Sequence, residues 1–166
     1  MGITPPSLLT EQHKLSGFTC GNQILDEWLL KKAYKSQKRN HTKVYVVTDS
    51  ESHQVVGFYA IAMGSVYRND AIGPLRRNSP NPIPMVVLAR LGVHDNYQGC
   101  GIGVALLKDC VVRSMRAMEV VGGAGILVHA IDESAKQFYK KFGFVESQFA
   151  PMTLMARICD IRASFI

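Results

Sequence analysis

Gln98-Gly99-Cys100-Gly101-Ile102-Gly103 stands between two segments of opposite character. Before it, Met85 to Val93 is nearly continuously apolar, interrupted mainly by Arg90, which predicts a central strand covered on both faces. After it, Val104, Leu107, Val111, Met115 and Met118 recur in steps of three and four, the spacing of a helix packed on a sheet. A glycine-rich turn at this junction has a physical use. Positions without side chains let a ligand approach the backbone, and the free N-H groups and dipole of the following helix attract phosphate oxygens. Three glycines that close together are costly in backbone entropy, which argues against a turn with no function.

Working outward, the apolar residues Leu25, Trp28, Leu29 and Ala33 predict an amphipathic helix over Asn22 to Arg39, with Asp26 and Glu27 early, where the dipole favours acids. Lys43 to Thr48 and Val55 to Val66, separated by Asp49-Ser50-Glu51-Ser52-His53, predict a hairpin. Gly73 to Pro84 carries four prolines and reads as a long loop. Gly122, Gly123 and Gly125 close the helix after the turn, and Ile126 to Ala130 is a short buried strand. Asp132 caps a helix running to Phe142, Gly143 stops it, and Met152 to Ile158 makes a last strand. Cys159 to Ile166 ends on apolar Phe165 and Ile166, which suits either a partner contact or a frayed terminus. The order describes an α/β (α+β) fold, a mixed central sheet flanked by helices on both faces.

The chain has 166 residues, which predicts one domain over 1–166, large enough to bury about 70% of its unfolded surface. A hydrophobic content of 47% and a mean hydropathy of +0.04 exclude disorder. No apolar run reaches the roughly 18 residues of a membrane span, and Pro5, Pro6, Glu11 and His13 stand where a signal peptide needs an apolar core, so a cytoplasmic protein without membrane association is expected. Cys20, Cys100, Cys110 and Cys159 form no C-x-x-C pair, and the five histidines show no ligand spacing, so no metal is expected. The net charge of +6 favours an anionic partner. Two phosphate-binding motifs fail. The dinucleotide pattern counted from Gly99 needs Gly or Ala where Val104 stands, and no Gly-Lys-Ser or Gly-Lys-Thr follows.

Gln98-x-x-Gly101-x-Gly103 resembles the Q/R-x-x-G-x-G/A signature of the GNAT acyltransferases, and Leu91-Gly92-Val93 resembles the end of their bulged central strand. Phe138-Tyr139-Lys140-Lys141-Phe142-Gly143-Phe144 is similar to their F-Y-x-x-x-G-F segment. The resemblance implies acetyl-CoA as cofactor, with its pyrophosphate on the turn from Gln98 to Val104 and its thioester beside Leu91, Gly92 and Val93. It also implies Tyr139 next to the sulfur. Cys100 stands where Lys or Arg is common, which removes one possible pyrophosphate contact and leaves the backbone. Ser134 suits either the pantetheine arm or a helix cap. Tyr139 also lies four residues after Ala135, at the edge of the apolar face of Ala135, Phe138 and Phe142, where packing is the alternative role.

A narrower resemblance rests on Phe18-x-Cys20-Gly21 with Leu25-Asp26-x-Trp28-Leu29, on Tyr97-Gln98-Gly99, on Leu127-Val128-His129-Ala130 and on Pro151-Met152-Thr153-Leu154-Met155. This set is similar to the GNAT toxins of bacterial toxin-antitoxin modules, which acetylate aminoacyl-tRNA and stop translation. It implies a ribbon-helix-helix antitoxin, operator DNA bound only together with that antitoxin, and a homodimer. Independently, Lys31, Lys32, Lys35, Lys38, Arg39 and Lys43 lie between Trp28 and Thr48 without any acid, and Arg68, Arg76, Arg77 and Arg90 face only Asp70. Such a surface suits a tRNA backbone, and a solvated helix face is the plainer account. Tyr34 and Tyr67 suit base stacking or packing.

An acetyl thioester is already activated, so a neutral amine, oxyanion stabilisation and a proton for the thiolate suffice. Main-chain N-H groups around Leu91 to Val93 suit the carbonyl. Tyr139, with a phenol reference pKa of about 10, suits the thiolate. His94 and Asp95 are candidate base or orienting groups, with a solvated turn as the plainer account, and His129 reads as a core or substrate-facing histidine. Two other functions remain open. One is acetylation of a protein N-terminus or small amine, although the basic excess argues against polyamines. The other is a non-catalytic nucleic-acid-binding or repressor module, against which the intact turn and Tyr139 argue.

Overall fold

A computed structural model of the chain describes residues 2–165, and of residues 162–165 only the backbone. The strands are β1 (Ser7–Leu8), β2 (Lys43–Thr48), β3 (Val55–Val66), β4 (Ile83–Val93), β5 (Gly125–His129), β6 (Val145–Glu146) and β7 (Thr153–Arg157). The helices are α1 (Gln23–Lys31), α2 (Ala33–Lys38), α3 (Gly73–Arg76), α4 (Ile102–Val121), α5 (Glu133–Lys141) and α6 (Ile158–Phe165). The strand order is β1-β2-β3-β4-β5-β7-β6. β4 and β5 run parallel, whereas β2-β3, β5-β7 and β6-β7 are antiparallel, so the sheet is mixed as expected. Contacts group into two units: the residues up to Ala62 with Ala89–Cys110, and Met63–Leu88 with the residues from Val111 on.

In the first unit, Leu25, Leu29 and Ala33 of the helices pack with Val44, Val46, Phe58 and Ala60 of β2 and β3. Asn22 caps α1 by accepting from the Leu25 N-H at 3.1 Å. The expected single helix over Asn22 to Arg39 is two helices, because Lys32 leaves helical geometry at φ −123°. The Gln37 amide clamps α2 by donating to the Leu9 carbonyl at 2.7 Å and accepting from the Val44 N-H at 2.8 Å. Periodicity along a chain does not report such a tertiary fixture.

In the second unit, Met85, Ile83, Leu127 and Met155 join Val66, Ala71 and Leu75 in a buried cluster. Pro74 opens α3, a turn of helix inside the expected loop, and β4 begins at Ile83, before the predicted start. Asp132 caps α5, accepting from the Ala135 N-H at 2.7 Å, and Gly143 ends the segment at φ +95°. The tail has helix α6 where fraying was one expectation; Ile166 and the Phe165 side chain lie outside the described residues. No helix among the described residues is long and apolar enough to cross a membrane.

Gly125 begins β5 with its α-carbon against the Ala156 backbone carbonyl, where a β-carbon has no room. Gly125→Ala is therefore expected to cost about 3 kcal/mol, the upper end of overpacking, and to lower Tm in a thermal melt. An unchanged Tm would refute the close approach.

Candidate active site

The chain leaving β4 is held before it reaches the glycine turn. The His94 N-H donates to the Val56 carbonyl and the Asp95 N-H to the Thr19 carbonyl, both at 2.8 Å. A single 3-10 turn, Asp95–Tyr97, follows. The Tyr97 hydroxyl donates to Asp49 at 2.8 Å, and the same carboxylate accepts the N-H groups of Glu51 and Ser52 in the β2-β3 turn. These donors, Tyr97 first, hold the Asp49 carboxyl below its ordinary range, and Asp49 in return raises the Tyr97 phenol. The Gln98 side-chain nitrogen donates to the carbonyls of Cys20 (3.2 Å) and Val93 (3.0 Å). Its amide thus ties the turn to the scaffold.

Gly99 and Gly101 sit at φ +78° and +85°, in the left-handed region that favours glycine. A β-carbon on either would meet nothing within 4 Å, so both face open space. The Gly101 carbonyl accepts from the Ala105 N-H at 3.1 Å, which starts the ladder of α4 and leaves the N-H groups of Ile102, Gly103 and Val104 without intrahelical acceptors. Ile102 is buried; a β-carbon at Gly57 would come within 3.1 Å of both Ile102 Cγ2 and Leu106 Cδ1, so Gly57 lets the first turns of α4 settle on β3. Exposed Cys100 points its thiol at the Gln98 carbonyl, 3.8 Å away. An open, glycine-lined turn at the positive end of a helix of 20 residues fits a diphosphate, the group by which acetyl-CoA would be held.

Gly92 is small for packing: a β-carbon there would meet Phe58 at 3.1 Å and Cys20 Sγ at 3.4 Å. Leu91 and Val93 flank it half-buried. Arg90 lies 4.6 Å over the Trp28 ring, which is stacked on Phe58 at 6.2 Å. Burial lowers the Arg90 pKa. This layered arrangement is invisible to periodicity, which places Trp28 on the apolar face of its helix and shows Arg90 only as an interruption of an apolar strand. Cys20 is pushed up to about 12 by burial and by the Asp26 carboxylate, so it stays a thiol. His94 corrects the expectation of a solvated turn. It is 9% exposed, its Nδ1 accepts from the Asn96 N-H, and its Nε2 pairs with the Gly17 carbonyl. Asp95 is exposed.

In the second unit Tyr139 is 5% exposed on α5, with ring centroids 5.3 Å from Phe138 and 5.7 Å from Phe144. Its carbonyl accepts the N-H groups of Phe142 and Phe144. Ser134 is exposed in the first turn of α5, whose cap is Asp132. His129 is exposed at the end of β5, which overturns its reading as core.

Lys31, Lys32, Lys35, Lys38 and Arg39 are all exposed along α1 and α2. Arg76 and Arg77 are exposed as well, with one Arg76 Nη donating to the Ala71 carbonyl at 2.8 Å. Tyr34 donates to Glu11 at 3.1 Å and packs against the first-unit cluster, whereas Tyr67 is exposed.

Residues 40–146 match the acetyltransferase (GNAT) domain. A curated protein of Mycobacterium tuberculosis, named tRNA-acetylating toxin, is 37% identical over 162 residues, 98% of this chain and 96% of its own. The solved structure of AtaT complexed with acetyl-methionyl-tRNAfMet superposes with a TM-score of 0.89 at 24% identity, over 99% of this chain and 100% of that one. A crystal structure of a tyrosine-to-phenylalanine mutant of KacT gives a TM-score of 0.91 at 21% identity, over 98% and 99%. At these identities the two structures speak for the fold.

Proposed function

Since this chain belongs to the GNAT acetyltransferase family, we propose that it transfers the acetyl group of acetyl-CoA to the α-amino group of aminoacyl-tRNA and so blocks translation, as the toxin of a toxin-antitoxin pair. One observation carries the choice of acceptor. The likeness to the mycobacterial relative runs through 98% of the chain, so it takes in the exposed lysines and arginine of the acid-free stretch after Trp28 as well as the glycine turn.

The residues divide the work as follows. The N-H groups from Gly99 to Val104, with those of Leu91 to Val93, bind and orient the cofactor, which supplies an acetyl group activated as a thioester. The Tyr139 hydroxyl is the proton donor for the leaving group. Lys31, Lys32, Lys35, Lys38, Arg39, Arg76, Arg77 and Arg90 offer the positive surface for the tRNA backbone. The same reading makes the chain one acetyltransferase domain working in the cytoplasm as a homodimer. Its partner is a ribbon-helix-helix antitoxin, with which alone it binds operator DNA.

The test is to incubate the purified chain with labelled acetyl-CoA and bulk charged tRNA, with uncharged tRNA and free amino acids as controls. Label on charged tRNA alone is expected. No label there, with acetyl-CoA still bound, would move the acceptor to a protein or small amine. The triple charge reversal Lys31→Glu, Lys35→Glu, Lys38→Glu is expected to weaken tRNA binding and to flatten the slope of log affinity against log salt by about 2 to 3, with acetyl-CoA affinity kept. An unchanged slope would leave those lysines a solvated face.

A further inference from the structure

β5 pairs in parallel with β4 through Leu88↔Val128 and antiparallel with β7, where His129 is the register partner of Thr153. The two side chains are joined, His129 Nδ1 to Thr153 Oγ1 at 2.9 Å. Thr153 is itself fixed on both sides of its backbone, its N-H donating to the Ala150 carbonyl and its carbonyl accepting from Ser147, each at 2.8 Å. Just past the histidine, the Ala130 N-H donates to the Met152 carbonyl at 2.8 Å. The ring is therefore held by a rigid partner.

Side chains alternate along a strand, so His129 shares a face with Leu127, which lies in the apolar cluster with Met85 and Met155. Leu127 is buried and His129 is exposed, so the imidazole stands where the apolar face meets water. It also stands at the carboxyl end of a parallel strand pair, the end at which open α/β sheets receive ligands. His94 shows the contrast, with both ring nitrogens bonded in the interior. The only hydrogen bond of the His129 ring among the described residues is the one from Nδ1 to Thr153, which leaves Nε2 unbonded there on an exposed residue.

We propose that Thr153 holds His129 with its proton on Nδ1, so that the Nε2 lone pair takes the proton the acceptor amine must lose. This rests on the amine acetylation proposed above. The amine lone pair forms the N-C bond to the acetyl carbon, the C-S bond breaks, and its electron pair leaves on sulfur, which takes a proton from the Tyr139 hydroxyl. The surplus amine proton goes to Nε2. One proton is given and one is taken, and a neutral imidazole protonated at one nitrogen has a lone pair on the other to receive it.

Two measurements on the full-length protein test this. The first is the ring-nitrogen NMR spectrum of His129 without any ligand: a proton on Nδ1 is expected, with a mixture of tautomers in Thr153→Val. A proton fixed on Nε2 would overturn the proposal whatever the acceptor. The second is steady-state kinetics with charged tRNA. His129→Ala and His129→Asn are each expected to lower kcat about 100-fold, the low end of proton-transfer catalysis, with KM and acetyl-CoA affinity within twofold. Imidazole in the buffer should restore part of the His129→Ala rate. A wild-type kcat in His129→Asn would overturn the base and leave tRNA acetylation standing. Absence of label on charged tRNA with the unaltered protein would instead overturn the acceptor, and the same variants assayed on a free amino-acid ester would then decide the role of His129.

Discussion

Gly101→Val is expected to abolish measurable acetyl-CoA binding while leaving a folded protein. At φ +85° a β-branched residue pays a backbone penalty of about 1 to 2 kcal/mol, which a domain of this size survives. Apart from Gly101 and its chain neighbours, no atom of the described residues lies within 4 Å of the new β-carbon, so the fold has no clash to relieve there. The damage falls on what must approach from outside. The valine methyl groups occupy the space over the first N-H groups of α4, and an anion kept from those groups loses both the hydrogen bonds and the dipole. Affinity measured by calorimetry should fall at least about 100-fold, the order of two lost charge-assisted hydrogen bonds. Gly101→Ala should fall between. An unchanged affinity in the valine variant, with an unaltered circular dichroism spectrum, would remove the turn from the cofactor site.

Tyr139→Phe should act in the opposite way, sparing binding and stopping turnover. The phenylalanine ring keeps the edge contacts with Phe138 and Phe144, and the carbonyl that accepts from Phe142 and Phe144 is unaltered. The hydroxyl group is lost, and with it the proton donor. A general acid contributes about 10²- to 10⁴-fold, so kcat on charged tRNA should fall by at least about 100-fold with KM for both substrates nearly constant. If kcat held, Tyr139 would be a packing residue, as its 5% exposure and three aromatic neighbours of sequence would by themselves suggest.

The glycine turn was legible because its conformation is local: Gly99 and Gly101 declare positive φ, and the spacing beyond them declares the helix. The ends of α5 were legible for the same reason, through Asp132 and Gly143. What stayed hidden depends on residues far apart in the chain. The break at Lys32 accompanies Gln37 reaching Leu9 and Val44, and the burial of His94 needs Gly17. Arg90 on Trp28 needs β4 beside α1. The two-residue strands β1 and β6 are too short to carry any period. In the site, residue types pointed to an anion, whereas the partner of His129 emerged only from the β5-β7 register.

The Gln98 amide grips the Cys20 carbonyl across 78 positions of chain, His94 grips Gly17 across 77, and Tyr97 grips Asp49 across 48. Contacts so distant in sequence form only after long loops have closed, which makes them late events in folding. The ligand cradle is thus local in its conformation and global in its assembly. A chain clipped of its first twenty residues would carry the whole glycine motif and the Tyr97-Asp49 contact, but would lose the partners of Gln98 and His94 at Cys20 and Gly17. Loss of the amino terminus would therefore loosen the cradle without touching a single residue of the motif.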